Sequence, residues 1–111
     1  MDVNTTQHER FDLIQVTGRV DSFTAPKLAE VFLDLTSGGR YKFIFDMTAI
    51  DYISSAGLRV MIDVQKKCRQ SQQGELILLG VPKRIYETLE LAGFMPLFRF
   101  IEDFKKAELT F

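Results

Sequence analysis

Apolar residues recur along this chain in two rhythms that take turns. Between Asp12 and Val20, Leu13, Val16 and Val20 stand among polar residues with Gly18 as an interruption, which predicts a strand over Phe11–Thr17. Gly18 to Ser22 then leaves the sheet, and a helix begins at Thr24 with Pro26 in its first turn. Leu28, Val31, Phe32 and Leu35 give that helix one apolar face, and Gly38-Gly39 ends it. Tyr41 to Asp46 is an almost unbroken apolar run, the pattern of a strand covered on both faces. Ala56, Val60, Met61, Val64 and Cys68 return at helical spacing, opposed by Arg59, Asp63, Lys66, Lys67 and Arg69. Beyond the polar loop Ser71–Gly74, Glu75–Leu79 reads as a strand closed by Gly80. Pro82 opens a helix carrying Ile85, Leu89 and Ala92, with Gly93 placed as its left-handed terminal residue. Leu97–Ile101 reads as a short strand and Glu102–Leu109 as a last helix. Met1–Glu9 is polar and fits either a frayed tail or an edge strand.

Strands and helices that alternate in this way imply right-handed crossovers and a mainly parallel sheet. No linker, repeat or low-complexity stretch divides the 111 residues, so one α/β domain over 1–111 is expected. In open α/β sheets the functional loops lie beyond the carboxyl ends of the strands. Three loops qualify: Gly18–Thr24, Met47–Ser55 and Gly80–Pro82. Asp21, Ser22, Ser54 and Ser55 would then face one another, with Asp21 a candidate hydrogen-bond partner of the serines. The plainer alternative is that Asp21 or Ser22 caps the first helix.

Composition narrows the chemistry. The chain is 46% hydrophobic and 26% charged, with a net charge of −1 and a pI near 5.8. No basic field exists to attract nucleic acid or anionic lipid, and the longest apolar runs are too short to span a bilayer. One cysteine excludes an internal disulfide, and with a single histidine it leaves no metal-ligand cluster. The polar N-terminus carries no secretory pattern, and a cytoplasmic location is expected.

Enzyme readings fail on their parts. A serine hydrolase needs a base beside its nucleophile, and Ile53 stands where a nucleophile elbow has its first glycine. The lone histidine, His8, lies in the polar N-terminal stretch and is read as solvated. No phosphate-binding loop or glycine-rich fingerprint is present. Asp46, at a strand end, invites comparison with a phosphoryl-accepting aspartate, yet the acidic pair and lysine that such a site requires are missing. Hydrogen bonding within its own loop is the better reading. Met47, Met61 and Met95 read as core filler, and Cys68 as a small buried residue.

What remains is the mid-chain stretch Asp51-Tyr52-Ile53-Ser54-Ser55-Ala56-Gly57-Leu58-Arg59-Val60, where strand turns into helix. Serine is a preferred N-cap, because its hydroxyl accepts from the unpaired N–H groups of the first turn. Those N–H groups, with the helix dipole, also favour negative charge. Ala56 and Gly57 keep the turn small enough for a protein surface or a phosphate to come close. An ordinary cap and a phosphate-accepting serine are both compatible with this chemistry.

Taken together, the chain resembles the STAS domain, specifically the stand-alone bacterial anti-sigma factor antagonist, over roughly Phe11–Leu109. Three pieces carry the resemblance. They are Thr17-Gly18-Arg19-Val20-Asp21 with Thr24-Ala25-Pro26; Phe45-Asp46-Met47 followed by Asp51 to Leu58; and Leu89-Glu90-Leu91-Ala92-Gly93-Phe94 with Leu97-Phe98. The resemblance implies a small, mainly parallel sheet of four to five strands with helices packed on it, no catalysis and no cofactor. It further implies a partner-switching role. The unmodified domain binds an anti-sigma factor that is also a serine/threonine kinase; phosphorylation at the start of the central helix releases it. A manganese- or magnesium-dependent serine phosphatase of the PP2C type then restores it. The commonest family pattern sets the acceptor directly before a glycine, as in Asp-Ser-Ser-Gly. Here Ala56 holds that place and Ser54 the place of the aspartate; the Ser-Ser-Ala-Gly-Leu variant is itself familiar in the family. Ser55 is the favoured acceptor, with Ser54 as its rival. Asp21, Ser22, Ile53, Ser54, Ala56, Gly57 and Arg59 are the expected partner-binding residues. The alternative is a scaffold or regulatory subunit of another assembly, such as a lipid transporter, without phosphorylation.

Overall fold

The computed structural model describes residues 1–111. Five strands form one sheet in chain order: β1 (Asp2–Gln7), β2 (Asp12–Val20), β3 (Lys42–Ile53), β4 (Glu75–Leu79) and β5 (Arg99–Ile101). Strands β2 to β5 run parallel, and β1 returns antiparallel along β2 with Val3 opposite Val16. The polar N-terminal stretch is therefore an edge strand, and the sheet is mixed. Between the parallel strands run α1 (Ala25–Ser37), α2 (Ser55–Gln70) and α3 (Lys83–Leu91), the last followed by a 3₁₀ turn at Met95–Leu97; α4 (Phe104–Thr110) closes the chain.

The two faces of the sheet explain the unbroken apolar runs. Phe43, Phe45, Leu76 and Leu78 point to one face, where α1, α2 and α3 cover them with Leu28, Phe32, Met61, Val64 and Leu89. Ile44, Ile77 and Leu79 point to the other, against Phe11 and Ala107 of α4. Successive side chains of a strand project oppositely, so a strand covered on both faces has no polar side to show. Phe32 packs edge-on to both Phe43 and Phe45, with ring centroids 5.3 and 5.7 Å apart. One polar side chain is built into this core: Gln65 of α2 donates to the carbonyls of Leu76 and Leu97 and accepts from Leu76 N–H. It ties the middle of the helix to β4 and to the approach to β5. No helix is long and apolar enough to cross a membrane.

Two strands run further than their sequence pattern predicts. β2 continues to Val20 and β3 to Ile53, so Met47–Ile53 is strand and not loop. Their distal halves pair with each other, Thr17 with Ala49 and Val20 with Ile53, across register shifts at Gln15/Thr17 and Gly18/Arg19. Each shift changes the phase of the side chains. Met47, Ile50 and Ile53 consequently all reach the core at a spacing of three, which hides the strand from a period-two reading. Leu97 and Phe98 likewise fall before β5, which begins at Arg99.

Candidate functional site

The distal β2–β3 ribbon delivers two chain segments to the same end of the sheet. Past Val20 the chain turns through Asp21–Thr24 into α1; past Ile53 it enters α2 with a single intervening residue, Ser54. The segments are joined by Ser54 N–H donating to Val20 C=O at 2.8 Å.

The two serines are not equivalent. Ser54 has extended backbone, and its hydroxyl accepts from Gly57 N–H at 3.3 Å while its carbonyl accepts from Leu58 N–H at 3.0 Å. It is the N-cap, half-buried and in use. Ser55 is the first residue of the helix, exposed, and its hydroxyl makes no hydrogen bond within the protein. The N–H groups of Ser55 and Ala56 are left free by helix geometry. Ser55 thus projects a free hydroxyl from the positive end of a sixteen-residue helix.

Beneath the serines the packing is tight. A Cβ on Gly57 would lie 2.7 Å from Ile53 Cγ1 and 2.8 Å from Val20 Cγ1. Gly57 is therefore small so that α2 can sit on the ribbon. Ile53 and Gly57 both face inward and shape the surface from below, whereas Ala56 is half-buried and Ser22 and Arg59 are exposed. Arg59 forms an exposed ion pair with Asp63 one turn on, 3.4 Å from Nε to Oδ1.

Asp21 does not bond the serines. Its Oδ1 accepts from Phe23 N–H, Thr24 N–H and Thr24 Oγ1 at 3.0, 2.9 and 3.1 Å, while Thr24 Oγ1 accepts from Asp21 N–H. The carboxylate fixes the turn that leads into α1, whose N-cap is Thr24, so neither Asp21 nor Ser22 caps that helix. The Thr24 and Phe23 N–H donors and the nearby Arg19 hold its pKa below the ordinary 3.8, outweighing partial desolvation.

That rigid turn presents a residue with no distinctive sequence signature. Phe23 is 82% exposed, at the tip of the turn tied down by Asp21. Nearby, the Arg19 guanidinium lies 4.3 Å above the ring of Tyr52, itself 43% exposed. A single apolar residue between polar ones carries no periodicity; only its place in a capped turn after a strand marks it.

The other candidates fall elsewhere. Asp46 accepts from Gln15 Nε2 and from Thr48 N–H and Oγ1, so it secures its own strand. His8 is half-buried and stacks on Phe11 at 4.5 Å, at the opposite end of the sheet. Met47 and Met61 are wholly buried and Met95 packs against the same core. Burial pushes the Cys68 thiol up to about 12, which leaves it un-ionised and unreactive at neutral pH. No three His, Cys, Asp or Glu side chains come together as a metal site.

This end of the mixed sheet thus carries a helix start capped by Ser54 and, beside it, the exposed hydroxyl of Ser55. The chain belongs to the STAS domain family, which it matches over residues 2–107, in the branch of the anti-sigma factor antagonists. Domains of this class are regulatory and non-catalytic. Among its relatives is BtrV of Bordetella bronchiseptica, whose assigned name places it among the anti-sigma factor antagonists. The two are 38% identical over 81 residues, covering 73% of this chain and 69% of BtrV. The anti-sigma-B factor antagonist of Staphylococcus aureus is 29% identical over 97 residues, 87% of this chain and 89% of that one. The crystal structure of an anti-sigma factor antagonist from Mycobacterium paratuberculosis shares the fold with a TM-score of 0.86. It is 17% identical and covers 97% of this chain and 91% of that one.

Proposed function

We propose that this chain is a phosphorylation-controlled antagonist in a partner-switching pathway. Unmodified, it binds an anti-sigma factor that is also a serine/threonine kinase; phosphorylation of Ser55 releases that partner, and a PP2C-type phosphatase returns the chain to its binding form. The observation that carries the reading is the division of labour between the serines. Ser54 is held as the helix cap, while Ser55 is exposed with its hydroxyl free. Phosphate at Ser55 adds about −1.5 to −2 charges at pH 7. The start of α2 tolerates that charge, but a partner docked over it would have to desolvate it. The switch then acts at the interface and leaves the fold intact.

The docking surface in this reading comprises the Asp21–Thr24 turn, the end of β3 and the first turns of α2. Asp21 acts in it by shaping the turn, Ile53 and Gly57 by supporting the surface, and Ser22, Ala56 and Arg59 as contacts. Phe23 is its apolar anchor: interface energy concentrates in aromatic side chains that are rigidly presented and then buried. The test is direct. The kinase recovered on unmodified protein is incubated with ATP and the wild-type, Ser54→Ala and Ser55→Ala chains, and the phosphopeptide is mapped. Phosphate is expected on wild type and Ser54→Ala only. Full phosphate on Ser55→Ala would transfer the role to Ser54; none on any chain would end the phosphorylation reading and leave a scaffold.

A further inference from the structure

Ser55, Arg59 and Asp63 stand four residues apart on α2, all exposed, so that each can reach the next along one ridge of the helix. In the unmodified protein Arg59 pairs forward with Asp63, and its side chain is 77% exposed. This is the weaker sense of a helical ion pair. Side chains lean toward the helix N-terminus, so a cation reaches an anion four residues before it better than one four residues after. Asp63 also carries one charge, where a phosphoserine approaches two. Both orientation and charge therefore draw Arg59 back toward residue 55 once a phosphate is there.

We infer that Arg59 is a switch residue that pairs with Asp63 when Ser55 is unmodified and with the phosphate when it is phosphorylated. This rests on Ser55 being the acceptor. The guanidinium can meet phosphate oxygens with a two-pronged donor set, and it needs only a side-chain rotation, since Arg59 makes no other contact with a charged group. Phosphorylation then alters the docking surface twice over. It adds an anion at Ser55 and withdraws the one cation of the first two turns of α2 from any acidic group on the partner. Arg59 is thus a positioning residue for the modified state as well as a contact in the unmodified one.

The experiment needs no kinase. Phosphoserine is installed at position 55 by genetic encoding in the wild-type, R59Q, R59K and D63N chains, and the phosphate is titrated by phosphorus NMR. The Arg59 Nε–H resonance is followed in the chains that keep Arg59. A pairing cation favours the dianion, so the second ionisation should occur at lower pH in wild type than in R59Q. The expected difference is about 0.3 pH units, the size of one exposed helical ion pair. R59K should recover part of it, and D63N should match or exceed wild type because the competing carboxylate is gone. The Nε–H resonance should move in step with the phosphate. Arg19, Asp21 and Asp51, on the neighbouring strand ends, are common to all four chains and cancel in the comparison. Coincident titrations in wild type and R59Q, or an Nε–H resonance indifferent to the phosphate, would overturn the relay. Phosphopeptide mapping of the unmodified chain treated with its kinase tests the separate question of whether Ser55 is the acceptor.

Discussion

Strand β2 begins and ends beside an aspartate, and the two could hardly be used more differently. Asp12, at the start, is 2% exposed and accepts from Arg40 Nε at 2.7 Å. Arg40 in turn donates to the carbonyls of His8 and Phe11, and His8 stacks on Phe11. Polar and aromatic groups there are turned inward and satisfied by one another. Asp21, just past the other end, spends its carboxylate on a local turn that pushes Phe23 into solvent, beside a serine whose hydroxyl has no partner. One end of the sheet is closed upon itself; the other is held rigid but left open. Stability and binding should accordingly respond to substitutions at opposite ends.

The largest effect is expected at the closed end. Arg40→Ala would leave Asp12 buried without its cation, which should lower unfolding free energy by about 3 kcal/mol in urea titrations. Affinity of the folded protein for its partner should not change. A loss under about 1 kcal/mol would mean that water replaces Arg40 and that this end is less closed than it looks.

At the open end the effects should move from stability to binding. Phe23→Ala should weaken partner binding by about 2 kcal/mol, roughly thirty-fold in Kd by calorimetry. The melting temperature should stay put, because so little of the ring is buried. A fall in stability with unchanged affinity would place Phe23 outside the interface. The serines sharpen the contrast further. Ser54→Ala removes a cap and should cost about 1 kcal/mol of stability, whereas Ser55→Ala should stay within about 0.5 kcal/mol. The opposite order would exchange their roles.

The smallest effect concerns acid. Asp21 is ionised more readily in the folded protein, because the turn's N–H donors favour its carboxylate. Its contribution is therefore full above its ordinary value of 3.8 and is lost as pH falls through the lower folded value. Unfolding curves of wild type and Asp21→Asn should be furthest apart near neutrality and converge in acid. A constant offset from pH 7 to pH 2 would show that hydrogen-bond geometry, and not charge, is what the turn uses.

The helices and the order of elements were legible because their apolar faces are regular, as at Leu28, Phe32, Met61 and Leu89. The distal half of β3 was not, since two register shifts break the alternation that a strand is recognised by. Gln65 escaped for a related reason: a polar residue on the buried face is read as solvent-facing unless its carbonyl partners are known. The serine pair stood out through its place at a strand–helix boundary. Which serine caps depends on where the helix begins, and a boundary shifted by one residue would exchange them. Asp21 could be read as cap or as partner to the serines, and it is neither: its hydrogen bonds stay within a D-x-x-T turn ahead of the helix.

The junction between β3 and α2 has no slack. Ser54 is its entire length, fastened to Val20 on one side and Gly57 on the other. One residue inserted after Ile53 would carry Ser55 about 100° around the helix axis, and one deleted would carry it as far the other way. Insertions should thus be tolerated at Gln72–Gln73, the exposed tip of the Ser71–Gly74 loop, and be purged at residue 54. Among homologues, gaps in alignment would mark the first loop and spare the second, a pattern that requires no knowledge of any partner.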